Sequence, residues 1–276
     1  MRFLKFILHL LVVAALTLLT QVGGIIYLLF LLLNRTIRRN YPKNRIGRLL
    51  PVLTFLVLYL ASVYLLVPPL AKAFGRVPLP LTASTEAPVK PGNLVFSLLC
   101  RNYTTPELRD VIYRSARRVR QQHPDYTLLY YDANFPFLTG FPLLPHRSHD
   151  DGEKVDLGFV YRRSGEKTIA NRPPTLFGYG YFEGPVGKER NQTARCLAQG
   201  HWQYDFTRYL RFYDRALDFD PRATADVIRA LLKERSVRKI FIEPHLKQRL
   251  GLSGEGRIRF HGCRAVRHDD HIHVEL

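Results

Sequence analysis

Two long stretches of this chain contain no charged side chain, and they restrict its possible folds more than any other feature. Phe6 to Leu33 runs 28 residues, and Leu49 to Leu70 runs 22, without Asp, Glu, Lys or Arg. A helix needs about 20 apolar residues to cross the hydrocarbon of a bilayer, so both are expected to span it. A cleaved signal peptide has an apolar core of about 7 to 15 residues, shorter than the first stretch. Pro68-Pro69 marks a place for the second helix to stop. Between the stretches lie Arg35, Arg38, Arg39, Lys43, Arg45 and Arg48 with no acid. Short basic loops stay on the cytoplasmic side, so both termini are expected outside.

Charge follows the same division. The formal net charge is +18, but the first acidic residue is Glu86, so much of the excess sits around the apolar stretches. That placement, and the lack of any reader motif, argue for no nucleic acid as partner. The expected organisation is residues 1–73 as a membrane anchor, 74–92 as a Pro-rich tether and 93–276 as one folded domain. The tether reading rests on Pro78, Pro80, Pro88 and Pro91 among Ser, Thr and Ala.

Within the domain, Asn93 to Cys100 is apolar and strand-like. Thr105-Pro106-Glu107 supplies an N-cap, a first-turn proline and an early acid, predicting a helix to about Gln122 with Leu108, Val111, Ile112 and Ala116 as its inner stripe. Further strands are expected at 126–131, 156–162, 239–243 and 271–276, and helices at 205–217 and 224–234. Irregular mixing of the two favours an α+β domain with a mostly antiparallel sheet. Of Cys100, Cys196 and Cys263, the last two are the expected disulfide outside the cytoplasm.

The chemistry concentrates in two strings, HRSHDDGEKVD at 146–156 and HDDHIHVEL at 268–276. A catalytic zinc takes three His or carboxylate ligands and leaves a fourth position for water. Gly152 allows a turn that presents Asp156 back toward His149. Along the terminal strand, His271, His273 and Glu275 share one face while Ile272, Val274 and Leu276 share the other. The aromatic group Tyr179, Tyr181, Phe182, Trp202, Tyr204 and Phe206 fits either a ligand groove or a core.

The spacing HxxxxxxD, His149 to Asp156, with the later HxH of His271-Ile272-His273, resembles the zinc peptidases that group lysostaphin, D-alanyl-D-alanine metallopeptidases and hedgehog domains. The wider strings are most similar to penicillin-insensitive murein endopeptidases, and IFIEPHLKQRLGL at 240–252 is similar to the segment before their last strand. The resemblance implies Zn2+ held by His149, Asp156 and His273. It places His271 at the attacking water or developing oxyanion, with His146 and His268 lining the site. Asp270, at the position of a base in related dipeptidases, is expected to be turned away by strand alternation. Asp150 and Lys154 depart from the endopeptidase pattern, which has Gln and an acid there.

The function so implied is a zinc metallopeptidase, a membrane-anchored hydrolase cleaving an amide bond in peptidoglycan peptide. It would be a multi-pass protein of the cell inner membrane, held in the lipid bilayer by two N-terminal helices, with its catalytic domain facing the periplasm or exterior. The alternatives are a carboxypeptidase or amidase on the same cell-wall material, or a non-catalytic, zinc-stabilised wall-binding module.

Overall fold

A computed structural model describes residues 2–40, 45–212 and 215–276. Lys43 of the basic loop, and part of the helix expected at 205–217, lie outside the described residues. In chain order the described elements are α1 (Arg2–Thr20), α2 (Gly23–Asn40), α3 (Arg45–Ala61), a wide π turn (Ser62–Leu66), α4 (Val67–Lys72), β1 (Val77–Pro78) and β2 (Val89–Pro91). Then come α5 (Val95–Leu98), β3 (Tyr103–Thr104), α6 (Pro106–Gln122), β4 (Leu128–Tyr130), β5 (Lys154–Gly158), β6 (Tyr161–Arg163) and α7 (Gln192–Ala198). A 3-10 segment (Trp202–Leu210) leads to β7 (Leu217–Phe219), α8 (Pro221–Leu232), β8 (Lys239–Phe241), α9 (Pro244–Arg249), β9 (Ile258–Arg259) and β10 (His271–Glu275).

Two helical runs are long and apolar enough to cross a membrane, Arg2–Thr20 and Arg45–Lys72, and the second is not at the N-terminus. The expectation of one helix from Phe6 to Leu33 is corrected: the chain breaks at Gln21, whose φ is 64°, and α2 folds back along α1. His9 Nδ1 consequently meets the Tyr27 hydroxyl at 2.8 Å. Gly24 is needed at the crossing, because a Cβ there would lie 2.0 Å from Thr17 Oγ1. Pro68-Pro69 does not end the second run either. The prolines fall at the first positions of α4, where a missing N–H costs least.

The antiparallel α1–α2 pair puts the chain's first residues at the same end as Arg35, Arg38 and Arg39, so the two termini are not on one side of the bundle as expected. The opposite end, at Gln21, rests on the domain. Gln21 Oε1 accepts from the backbone N–H groups of Phe137 (2.8 Å) and Leu138 (3.4 Å). Val22, Ile26, Val63, Val67 and Ala71 form one buried cluster with Cys100 and Tyr103 of the domain.

Residues 74–92 are not a free tether. β1 pairs with β3, Leu79 is buried, and β2 adds an edge strand to the main sheet, so the domain begins ahead of Asn93. That sheet has six strands in the order β2-β4-β5-β10-β8-β9. It is mixed rather than mostly antiparallel: β2–β4 and β8–β9 are parallel at the edges, while β4–β5, β5–β10 and β10–β8 are antiparallel. The stretch expected as one strand at 156–162 divides between this sheet and a separate β6–β7 pair.

The α6 helix forms where its cap predicted. Thr105 Oγ1 accepts from the Leu108 N–H, and Leu108, Val111, Ile112 and Ala116 are buried. They share a core with Val227, Ile228 and Leu231 of α8 and with Ile272, Val274 and Leu276 of the terminal strand. Burying each such aliphatic side chain contributes about 1.5–3 kcal/mol. β10 is thereby fixed at the centre of the sheet, its alternate residues turned to the opposite face.

Candidate metal centre

In the β5–β10 ladder His273 lies directly opposite Asp156. Cross-strand partners emerge on the same face of a sheet, so the register itself brings this imidazole and carboxylate together. His149 arrives from the 132–152 loop. Asn134 closes that loop, donating to the Lys154 carbonyl (2.8 Å) and accepting from the Gly152 N–H (2.9 Å). Gly152 has φ 88° and packs under the Arg76 guanidinium, 2.2 Å from where a Cβ would stand, so another residue would strain this return.

The three expected ligands converge. His149 Nε2 lies 3.1 Å from His273 Nδ1 and 3.3 Å from Asp156 Oδ1, and His273 Nδ1 lies 2.9 Å from the same oxygen. Zinc bonds of about 2.0–2.1 Å at tetrahedral angles imply donor separations of about 3.3 Å, so the triangle fits one ion. The outer partners select the tautomers. His149 Nδ1 donates to the Ala133 carbonyl (2.7 Å), and His273 Nε2 donates to Glu275 Oε1 (3.4 Å), leaving a lone pair on each inward nitrogen. Asp156 Oδ2 accepts from the Tyr179 hydroxyl (2.7 Å), leaving Oδ1 for the centre. With those tautomers, three electron-pair donors face one another out of water and could hold a cation between them. The residues therefore fit a metal ion; the donor set alone does not name which.

All three ligands are buried. Burial opposes ionisation of Asp156, but the imidazoles of His149, His271 and His146 outweigh it and hold this carboxyl well below the usual range. Burial lowers His149 in the same way that it would hold any imidazole neutral.

The three residues expected around the metal are also there. His271 Nε2 is 3.5 Å from Asp156 Oδ1 and has no hydrogen-bond partner, while Nδ1 donates to Asp270 Oδ1 at 2.5 Å. Asp270 thus turns away from His273, as alternation predicts, and acts by positioning His271. His146 Nδ1 donates to Asp132 Oδ2 (2.8 Å), and its Nε2 is buried without a partner. His268 lies against His271 and His273, with ring centroids 4.9 and 5.6 Å away. Burial, reinforced by those two imidazoles, pushes it well below the ordinary histidine value.

Four participants had no such reading in the sequence. Asp132, His146 and Asp156 form a second group with metal-ligand spacing, sharing Asp156 with the first. Arg101 binds Asp132 (Nε to Oδ1, 2.8 Å) and so already supplies a cation to that carboxylate. Tyr179, grouped in the sequence with residues of groove or core, is a hydrogen-bond partner of Asp156 and of the Asp132 N–H. His261 stacks on Phe241 (4.2 Å) and faces His268 (5.1 Å). Nearby, the Cys196–Cys263 disulfide ties the loop bearing His261 and His268 to α7, as expected. No family model and no curated protein matches the chain.

Proposed function

We propose that the protein is a membrane-anchored, zinc-dependent hydrolase that cleaves an amide bond in peptidoglycan peptide. The observation that carries this reading is the convergence of His149, Asp156 and His273, beside a His271 whose Nε2 is unengaged. The wall peptide as substrate comes from the resemblance of the two His-rich strings to murein endopeptidases. Export is supported by the disulfide, since such bonds persist in oxidising compartments. Anchoring is supported by the two apolar helical runs.

Zinc, when bound, lowers the pKa of a water toward about 7 and polarises a carbonyl. In the reaction, water's oxygen bonds to the carbonyl carbon, the C–N bond breaks, and the amine leaves with a proton. Asp270 holds His271 by Nδ1, so Nε2 is the atom that takes up and delivers that proton, a contribution of about 10²- to 10⁴-fold. Tyr179 and Ala133 fix the outward sides of Asp156 and His149, so these ligands need not reorganise.

The test is digestion of purified wall peptides by the zinc-loaded full chain, read by mass spectrometry, alongside His271→Ala. Cleavage by the parent, and its loss in a variant that still holds one zinc, supports the hydrolase. A parent that binds wall peptide tightly, holds zinc and releases no product is instead a binding module.

A further inference from the structure

The end of the helical bundle away from the domain carries side-chain charge of one sign only. Tyr27 of α2 meets His9 of α1, and Phe30 of α2 meets Phe55 of α3 with ring centroids 5.5 Å apart. Phe30 lies as many residues before Asn40 as Phe55 lies after Arg45, so α3 starts where α2 stops. Arg2 and Lys5 of α1 therefore share one end with Arg35, Arg38 and Arg39 of α2 and with Arg45 and Arg48 of α3. All of them are exposed. The first acidic residue of the sequence is Glu86, beyond the bundle, and none of these cations has an ion pair among the described residues.

The helix ends add to this charge instead of opposing it. A helix start bears a partial positive charge and unpaired N–H groups, which an acid in the first turn ordinarily answers. Helices α1 and α3 both start here with no acid in the first turn, and they place Arg2, Lys5, Arg45 and Arg48 at that start instead. Helix α2 stops here, and Arg38 and Arg39 stand in its last turn. The partial negative charge of one helix end is about half a unit, far short of the cations gathered around it. Like charges held together on three packed helices repel, so this end calls for anions from outside the chain.

We infer that the basic end binds the head groups of anionic phospholipids, which hold the three helix ends together. The inference rests on the anchoring part of the proposed function, because a bundle lying in a bilayer is what brings this end to head groups. Helix α1 has 19 residues, which is about 28 Å at 1.5 Å per residue, against about 30 Å for the hydrocarbon of a bilayer. With the Gln21 turn at one surface, the basic end thus reaches the phosphates of the other. Arginine, the commoner cation there, presents paired N–H groups that match phosphate oxygens. A zwitterionic lipid offers a phosphate too, but its own ammonium cancels most of the field, so the partner is a lipid of net negative charge.

The test titrates the full chain, in micelles of a neutral detergent, with phosphatidylglycerol or phosphatidylcholine and counts the lipids it retains by native mass spectrometry. Each basic residue near an anionic lipid surface is worth about fivefold in binding. Phosphatidylglycerol is therefore expected to bind the parent about tenfold or more tighter than phosphatidylcholine, and Arg35→Gln, Arg38→Gln and Arg39→Gln combined are expected to erase that preference. Lysine at the same three positions keeps the charge and is expected to keep most of the preference, which separates lost charge from lost fold. Arg190→Gln, Arg195→Gln and Arg235→Gln combined remove three exposed charges from the domain and are expected to leave binding as in the parent. Equal binding of the two lipids by the parent, a preference that survives the first glutamine triple, or one that the domain triple also loses, overturns the inference. Full displacement of the lipid by inorganic phosphate at the same phosphate concentration overturns it too, since the end would then be a site for free anions. Alkaline washing of cell membranes tests the anchoring separately. A chain released by the wash removes the membrane reading and the inference with it, whereas a retained chain without lipid preference removes the inference alone.

Discussion

Tyr179 shows how much of a metal site lies outside its ligands. Its hydroxyl donates to Asp156 Oδ2 and accepts from the Asp132 N–H at 3.2 Å, so one buried group fixes both the bridging carboxylate and the loop that brings His146. Tyr179→Phe keeps the ring and removes both bonds. Losing such an outer partner weakens metal binding by about 10- to 100-fold, and competition with a zinc chelator would measure it. An unchanged affinity would mean that Asp156 needs no orientation from this side. His149→Ala, by contrast, removes a ligand. Tyr179 was hidden in the sequence because its partner is 23 residues away and no local spacing relates them. The ligand set was legible through the resemblance of the two His-rich strings; alternation along β10 and the turn at Gly152 are local rules that put these residues within reach of one another without choosing between His271 and His273.

The same distinction separates the elements that were foreseen from those that were not. Helix α6 carries its own start signal and its own stripe, and it formed as read. Val95–Leu98 is a short apolar run, which suits a strand or a helical turn equally, and its docking on Tyr59 decided for the helix. Gly23-Gly24 passed as part of one long span because glycine leaves hydrophobicity unchanged, although it permits the close crossing that turns the chain back. Two contacts between elements give tests. The Cys196–Cys263 bond closes 67 residues, for which chain entropy alone implies about 4 kcal/mol, so replacing both cysteines by Ala should lower the thermal midpoint clearly. Zinc stoichiometry should survive, because His149, Asp156 and His273 lie on other elements. Arg249 of α9 binds Glu189, and that hydrogen bond holds the Glu189 carboxyl down at about 2. A depressed carboxyl stabilises the fold above its unfolded pKa of about 4.3, and the gain disappears as pH falls toward 2. Glu189→Gln should therefore flatten the acid side of the stability curve by about 0.5 kcal/mol, an amount fitting a pair near the surface. A parent and variant with the same midpoints at pH 3 and pH 6 would show that the pair contributes nothing.

Taken whole, the chain joins a helical bundle to a mixed-sheet domain through direct contacts. The Pro-rich segment is woven into two sheets, and the Gln21 turn, Tyr59 and the Val63–Ala71 side of the second long run all bear on the domain. Those contacts give the fold-back of α2 a topological consequence. A single first span would put the N-terminus and the domain on the same side of the membrane. An antiparallel α1–α2 pair instead puts Arg2 and Lys5 at the same end as Arg35, Arg38 and Arg39, so among the described residues the basic side chains of the bundle's first two helices gather at one end. If the bundle lies in a membrane, the rule that short basic ends stay cytoplasmic predicts that the domain, at the opposite end, would face outward. Single cysteines at Phe3, Asn40 and the exposed Trp202, introduced where Cys100 is replaced by Ser, make this measurable in intact cells. An impermeant thiol reagent should label position 202 and leave positions 3 and 40 untouched until the membrane is opened. Labelling at position 3 but not at 40 would show that the first apolar stretch crosses as one helix in the bilayer, and the hairpin with its domain contacts at Gln21 would have to be abandoned.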